Sequence, residues 1–174
     1  MGDRSNPPLE VQIGPLLRRR GMKLVLAESC TGGLVGHRVT NIPGSSDYYL
    51  GSVTAYAYEA KERLLGVRHE TLLQYGAVSR ETALEMARGV RQALASDFGL
   101  DSVIGISITG IAGPGGGMPN KPVGLVWIGM STPQGEWAWE NRFQGDRTQN
   151  KELSAERALQ LLVDYLQKDL DSVA

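Results

Sequence analysis

Three side chains that can attack a carbonyl carbon lie next to one another, at Ser29, Cys30 and Thr31. Such a hydroxyl or thiol becomes a nucleophile when a neighbouring base removes its proton, or when its own pKa is lowered. Gly32 and Gly33 follow directly, and glycines let a ligand approach the main chain closely. The stretch from Ser29 to Gly33 is therefore predicted to be a catalytic or anion-binding turn, with Ser29 and Cys30 as alternative nucleophiles.

This turn is predicted to connect a strand to a helix. The apolar run at 23–27 favours a buried strand, and residues 30–40 favour a helix. The first N–H groups of a helix have no partner within it, so they can bind an anion. We therefore expect the N–H groups from Cys30 to Gly33 to contact the substrate and to stabilise an oxyanion.

A base for the nucleophile is predicted to be a lysine rather than a histidine. His37 lies two turns along the predicted helix, and His69 lies in a charged segment, so both are better explained as exposed or capping residues. Lys61 follows the predicted strand at 48–56, and adjacent parallel strands end at one edge of a sheet. It needs a pKa lowered by burial or by nearby positive charge. Tyr56 is a candidate for relaying the proton or positioning the lysine.

Without further information, an exposed lysine and a tyrosine at the edge of the core remain the commoner explanations of Lys61 and Tyr56.

A second group of candidates lies in the glycine-rich segment 109–117, whose bare N–H groups suit an anion. This segment matches neither a P-loop nor a dinucleotide-binding turn, and a flexible surface loop is the alternative. The predicted substrate-binding residues of this group are Thr109, Gly110, Gly113, Gly115 and Gly116. Arg147, at the start of the last predicted helix, is a weaker candidate for a phosphate.

The bulk composition limits the functional classes. The chain has 174 residues, 41% of them hydrophobic, and a net charge of −1, which gives no electrostatic reason to expect a nucleic-acid partner. No apolar run is long enough to span a membrane, and the N-terminus lacks the apolar core of a signal peptide. One cysteine and two distant histidines predict a cytoplasmic protein with no internal disulfide, no metal and no cofactor.

Helical and strand patterns alternate along the chain, which predicts an α/β fold with the sheet in the middle. Residues 1–8 are predicted to be a loose lead-in, and 9–174 a single domain. Helices are expected at 9–20, 30–40, 58–65, from Ser79 to Phe98 and at 146–170; strands are expected at 23–27, 48–56, 102–109, 122–130 and 136–143. The last two strands form a hairpin, which makes the sheet mixed.

Five segments of this sequence together resemble the CinA C-terminal domain family. They are Ala27–Gly33, Ala55–Lys61 with Leu64–Val67, Tyr75–Ser79, Thr109–Gly117 with Lys121–Gly124, and Gly145–Arg147. They occur in the family's order and span almost the whole chain. The resemblance implies a three-layer α/β/α sandwich around a mixed, mostly parallel sheet, a homodimer or higher homo-oligomer, and a stand-alone form of this domain.

Active members of the family, the PncC-type enzymes, are nicotinamide mononucleotide amidohydrolases, which produce nicotinic acid mononucleotide and ammonia. The resemblance therefore implies a small nucleotide substrate and a catalytic set of Ser29, Lys61 and Tyr56. This chain departs from the family pattern at Ala57 and Tyr58, where the family usually has serine and asparagine. A non-catalytic nucleotide-binding module, or a CinA-like protein with altered activity, is the alternative.

Overall fold

The computed structural model describes residues 7–95 and 97–171, so residues 1–6 of the predicted lead-in lie outside the described residues. Within these ranges the chain forms six α-helices and five strands. The helices are α1 (Leu9–Arg20), α2 (Leu34–Thr40), α3 (Tyr58–Leu65), α4 (His69–Tyr75), α5 (Arg80–Leu94) and α6 (Arg147–Asp171). The strands are β1 (Lys23–Glu28), β2 (Tyr49–Thr54), β3 (Val103–Gly110), β4 (Leu125–Thr132) and β5 (Gly135–Arg142).

The strands of the described chain form one mixed sheet in the order β2-β1-β3-β4-β5. β1 pairs in parallel with β2 and β3, whereas the β3–β4 and β4–β5 pairs are antiparallel, so four of the five strands point the same way. The register places Glu28 beside Thr54 on one side and beside Ile108 on the other. The carboxyl ends of β1, β2 and β3 therefore meet at one edge of the sheet, where open α/β sheets bind their ligands.

Helices cover both faces of this sheet. On one face, α1, α2 and α6 pack apolar side chains such as Ile13, Val35 and Leu162 into a core with β1, β3 and β4. On the other face, a second core includes Leu72 of α4 and Met86 of α5. This confirms the predicted α/β/α layers with a mixed sheet.

The helix boundaries agree with expectation where a local signal ends the helix. α1 and α3 have the predicted bounds because Gly21 and Gly66 adopt left-handed conformations, with φ of 63° and 64°, and close the last turns. Ser79 caps α5 as predicted, since its side chain accepts a hydrogen bond from the Thr82 N–H. At the start of α6, the Asp146 carboxylate accepts from the Gln149 N–H and the Gln149 side chain accepts from the Asp146 N–H.

Two expectations about the helices were wrong, and one helix was not expected. The helix predicted at 30–40 begins only at Leu34, because Gly32 and Gly33 have φ of 64° and 98° and form a turn. α4 was not predicted, because its seven residues carry too short an apolar repeat. Phe98, predicted to be buried in α5, lies beyond the end of that helix and is 50% exposed.

Candidate active site

Ser29 and Lys61 meet at the edge where β1 and β2 end. Ser29 follows β1 directly, and Lys61 lies in the first turn of α3, a few residues after β2. The Lys61 Nζ donates a hydrogen bond of 3.0 Å to the Ser29 Oγ. The exposed fraction is 7% for Ser29 and 1% for Lys61, so water is largely excluded from the pair. The structure thus brings together the predicted nucleophile and the predicted base.

The Lys61 nitrogen also donates to two main-chain carbonyls, those of Ala55 at 2.8 Å and Tyr56 at 3.0 Å. A protonated lysine has three N–H donors, whereas a neutral one has two N–H donors and a lone pair. In the neutral state, the two carbonyls take both N–H donors and the lone pair points to Ser29. This geometry suits an amine that removes the serine proton.

Burial lowers the pKa of Lys61 to about 8, from an ordinary value near 10.5, because the ammonium is desolvated. Among the hydrogen bonds of the described residues, the three oxygens around Lys61 Nζ are neutral, so no carboxylate holds it in the charged form. About a tenth of Lys61 is therefore neutral at pH 7, far more than for an exposed lysine.

Glu28, which the sequence analysis did not single out, is a fully buried carboxylate beside Ser29. It accepts four hydrogen bonds, from the Thr31 hydroxyl at 2.7 Å, from the N–H groups of Gly33 and Val35 at 3.1 Å, and from the Gly36 N–H at 2.9 Å. The N–H groups at the start of α2 are therefore already occupied. The expectation that Gly33 offers a free N–H to a ligand was wrong for this reason.

The other N–H groups of the turn differ in their availability. The Gly32 N–H donates to the Ser29 carbonyl at 3.0 Å. The N–H groups of Cys30 and Thr31 are the two for which the described structure contains no oxygen acceptor. Both also interact with the Cys30 sulfur, and they are the donors of the turn without an oxygen acceptor that an oxyanion could use.

Cys30 is buried among the apolar side chains of the core rather than directed to an open site. Burial raises the pKa of its thiol to about 12, since a thiolate would be desolvated there. The thiol is therefore kept protonated and unreactive.

Tyr56 contacts the pair through its main-chain carbonyl and not through its hydroxyl. Its side chain is 60% exposed, and its hydroxyl accepts a hydrogen bond of 3.1 Å from Arg147 Nη2. The same guanidinium donates through Nη1 to the Gly113 carbonyl at 2.6 Å. This geometry does not support a Tyr56 proton relay to Lys61, and it links Tyr56 and Arg147 across the mouth of the site.

The predicted residues of the glycine-rich segment fall into buried and exposed groups. Thr109 is buried, and its hydroxyl donates to the Ala77 carbonyl at 2.7 Å, so it holds the strand end in place. Gly110 ends β3 where a Cβ would lie 2.8 Å from the Leu125 carbonyl oxygen. Gly115 and Gly116 are exposed.

Residues of the glycine-rich segment and of the start of α6 line an open pocket of about 460 Å³. The residues lining it are Ala112, Pro114, Val123, Gly145, Asp146, Arg147 and Thr148.

Lys151 is a second cation near the site besides Arg147, and the sequence analysis did not identify it. Its Nζ lies 3.9 Å from the position that a Cβ on Gly32 would occupy, so its ammonium stands next to the turn. Arg147 and Lys151 are four residues apart on α6, a spacing that places two side chains on one helix face. This spacing was the available signal, as was the charge of Glu28 at the end of an apolar strand.

In the part of the chain that the structure describes, no three His, Cys, Asp or Glu side chains cluster in a way that could hold a metal ion. Nor is any helix there long and apolar enough to cross a membrane.

Comparison with known proteins identifies related sequences over most of this chain. The profile of the CinA C-terminal domain matches residues 6–166. A CinA-like protein of Salinibacter ruber is 51% identical over 152 residues, which are 87% of this chain and 35% of that protein. A CinA-like protein of Chloroherpeton thalassium is 50% identical over 163 residues, or 91% of this chain and 37% of that protein. The chain thus spans about a third of the length of these relatives.

Solved structures have the same fold. A CinA superfamily protein from Klebsiella pneumoniae superposes with a TM-score of 0.83 at 32% identity, covering 92% of this chain and 96% of that one. A competence/damage inducible protein from Agrobacterium tumefaciens has a TM-score of 0.80 at 34% identity, covering 95% and 99%. The matching profile, the similar sequences and the shared fold show that this chain belongs to the CinA C-terminal domain family.

Proposed function

We propose that this protein hydrolyses the carboxamide of nicotinamide mononucleotide to nicotinic acid mononucleotide and ammonia, with Ser29 as nucleophile and Lys61 as base. The observation that carries the proposal is the buried 3.0 Å hydrogen bond between Lys61 Nζ and Ser29 Oγ. The choice of substrate rests on the resemblance of the motifs around Ser29, Lys61 and Arg147 to those of the family's amidohydrolases.

In the first step, neutral Lys61 takes the Ser29 proton while Oγ attacks the carboxamide carbon. The carbonyl oxygen becomes an oxyanion, which the N–H groups of Cys30 and Thr31 stabilise by about 3 kcal/mol for each donor. Lys61, now an ammonium, gives its proton to the departing nitrogen, and ammonia leaves an ester on Ser29. A water molecule, deprotonated by Lys61, then hydrolyses that ester and restores the serine.

The burial of Cys30 favours Ser29 over Cys30 as the nucleophile, an alternative that the residue types alone left open. A thiol with a pKa of about 12 carries almost no thiolate near neutral pH. Ser29 needs no lowered pKa, because a base lies within hydrogen-bonding distance.

The substrate phosphate is proposed to bind at the face of α6 that carries Arg147 and Lys151. Guanidinium and ammonium groups make charge-assisted hydrogen bonds to phosphate oxygens. Tyr56 and Gly113 orient the Arg147 guanidinium from two sides. Arg147 makes no hydrogen bond to Ser29 or Lys61, so its proposed role is in binding the substrate and not in the proton transfer.

Ammonia release from nicotinamide mononucleotide tests the proposal. The wild-type protein is expected to release ammonia at a rate that Ser29→Ala abolishes and that Cys30→Ala leaves largely intact. Full activity in Ser29→Ala would exclude the serine as the nucleophile. If Cys30→Ala abolished ammonia release and the Cys30 thiol of the wild type reacted with an alkylating reagent, a thiol mechanism would be favoured instead.

Calorimetry with the same nucleotide separates catalysis from binding alone. A wild-type protein that binds the nucleotide without releasing ammonia would be a non-catalytic module. In that case Ala57 and Tyr58, where the chain departs from the family pattern, are the first positions to restore to serine and asparagine.

A further inference from the structure

Glu28 is a buried charged group for which the proposed mechanism has no use. It is the last residue of β1 and precedes the nucleophile, and none of its surface is exposed. All four of its partners are donors, so the carboxyl group serves only as an acceptor, as expected of its ionised form. Burying a carboxylate costs folding free energy unless hydrogen bonds satisfy its oxygens, so the four donors around Glu28 are needed to keep it in the interior.

The partners of Glu28 lie on both sides of the two glycines. Thr31 precedes them in the chain, while Val35 and Gly36 belong to the first turn of α2. One carboxylate thus ties a segment of six residues, Thr31 to Gly36, to the end of β1. Gly32 and Gly33 have positive φ. A glycine adopts positive and negative φ about equally readily, so the hydrogen bonds on either side of the two glycines select this conformation.

The carboxylate is also close to the site without binding Lys61. It makes its hydrogen bonds to the N–H groups and to Thr31, whereas Lys61 binds Ala55, Tyr56 and Ser29. An ion pair between the two would favour the charged lysine and remove the base. The four bonds keep the negative charge directed toward α2.

We propose that Glu28 is a positioning residue, which holds the turn so that Ser29 Oγ faces Lys61 and only the N–H groups of Cys30 and Thr31 remain for the oxyanion. This inference rests on the proposed serine mechanism. Thr31 takes part in the same arrangement, because its hydroxyl donates a hydrogen bond to Glu28.

Glu28→Gln tests this role. The glutamine has nearly the same size, but its NH₂ group would face N–H donors and break part of the network. A displaced nucleophile lowers kcat by about 100-fold, and KM stays unchanged because the phosphate site on α6 is intact.

Glu85→Gln is the matched control. Glu85 lies within α5 and is also a buried carboxylate that binds the start of a helix, here α4. It accepts from the Arg68 N–H and Nε at 2.9 Å and from the Thr71 hydroxyl at 2.8 Å. These partners lie outside the turn. Both variants are expected to lower Tm, but only Glu28→Gln lowers kcat. An equal loss of kcat in the two variants, or none in Glu28→Gln, would overturn the inference.

A second pair of variants keeps the test decisive if Glu28→Gln does not fold. Thr31→Ser retains the hydroxyl that Glu28 binds, whereas Thr31→Val keeps the shape of the side chain but lacks this hydroxyl. We expect the kcat of the valine variant to be about ten-fold below that of the serine variant. Equal kcat in both variants would show that the link to Glu28 has no effect on the nucleophile.

Acylation of Ser29 by p-nitrophenyl acetate separates this inference from the choice of substrate. The acyl group on Ser29 is detected by mass spectrometry of the intact protein and its peptides. If the wild type releases no ammonia but acylates Ser29, and Glu28→Gln or Thr31→Val slows that acylation, the positioning role stands and the proposed substrate is wrong. If the wild type does neither, both proposals are overturned.

Discussion

Two glycine-rich segments follow neighbouring strands at the same edge of the sheet, yet the protein uses them in opposite ways. At the end of β1 and in the turn after it, Glu28, Ser29 and Thr31 lie in the interior, and most of their polar groups are bound within the protein. The glycine-rich segment 109–117 at the end of β3 is exposed beyond Gly113, and the Gly113 carbonyl orients Arg147.

The difference separates two tasks. A nucleophile and its base must be held at a fixed distance in a site with little water, because small displacements reduce the rate strongly. A charged part of a substrate can be held by exposed cations, since ionic contacts tolerate more variation in distance. The comparison assigns chemistry to the turn and binding to the face that joins the segment to α6.

The largest expected effect on kcat comes from removing the base that faces the turn. Lys61→Met removes the base and keeps much of the volume, so kcat should fall by about 10³- to 10⁴-fold. The control is Lys23→Met at the opposite end of β1, where the lysine donates to the Asp47 carbonyl. Ammonia release measures both. Substantial activity in Lys61→Met would assign the base to another group and break the comparison.

The pH dependence tests the state of Lys61. Because only the neutral amine accepts the serine proton, kcat/KM should rise with pH and level off above the lysine pKa of about 8. Below that value the rate should fall about ten-fold for each pH unit. A pH–rate profile of the wild type measures this, and a flat profile between pH 6 and 9 would contradict the role of a buried lysine.

Arg147→Met probes the binding side of the comparison. The loss of a charge-assisted contact to phosphate should raise KM by about 10- to 100-fold, with a much smaller change in kcat. Steady-state kinetics measure the split. Arg142→Met is the control, because that arginine pairs with Glu140 on β5. If Arg147→Met reduced kcat and left KM unchanged, Arg147 would belong with the catalytic groups.

The smallest effect is expected from Tyr56→Phe. The hydroxyl orients Arg147 through one hydrogen bond, so its loss should raise KM by less than about ten-fold. In a double-mutant cycle with Arg147→Met, the two effects should not add, because they act through the same contact. A large loss of kcat in Tyr56→Phe would instead favour the proton relay, one of the two roles for which the sequence made Tyr56 a candidate.

The parts of the fold that follow local rules were predictable. The bounds of α1 and α3 depend on a glycine that ends each helix, and the buried strand β3 on a continuous apolar run. The start of α2 was not predictable in the same way, because it depends on a carboxylate from the preceding strand. α4 was missed, since a helix of seven residues has little periodicity to recognise.

The sequence by itself determined the nucleophile-bearing turn, the scarcity of histidine that favours a lysine base, and the alternation of helices and strands. These depend on residue type and on spacing along the chain. The parallel pairing of β1 and β2, which brings Ser29 to Lys61, could be expected from the order of the elements.

Only the tertiary structure decided which groups are available for chemistry. It buried Cys30 and so raised the pKa of its thiol, and it bound the Tyr56 hydroxyl to Arg147, 91 residues away. It also directed Glu28 to the Gly33 N–H, which a ligand was expected to take. The reason is physical: burial and hydrogen-bond partners determine the reactivity of a side chain, and both arise from contacts between segments that are distant in the sequence.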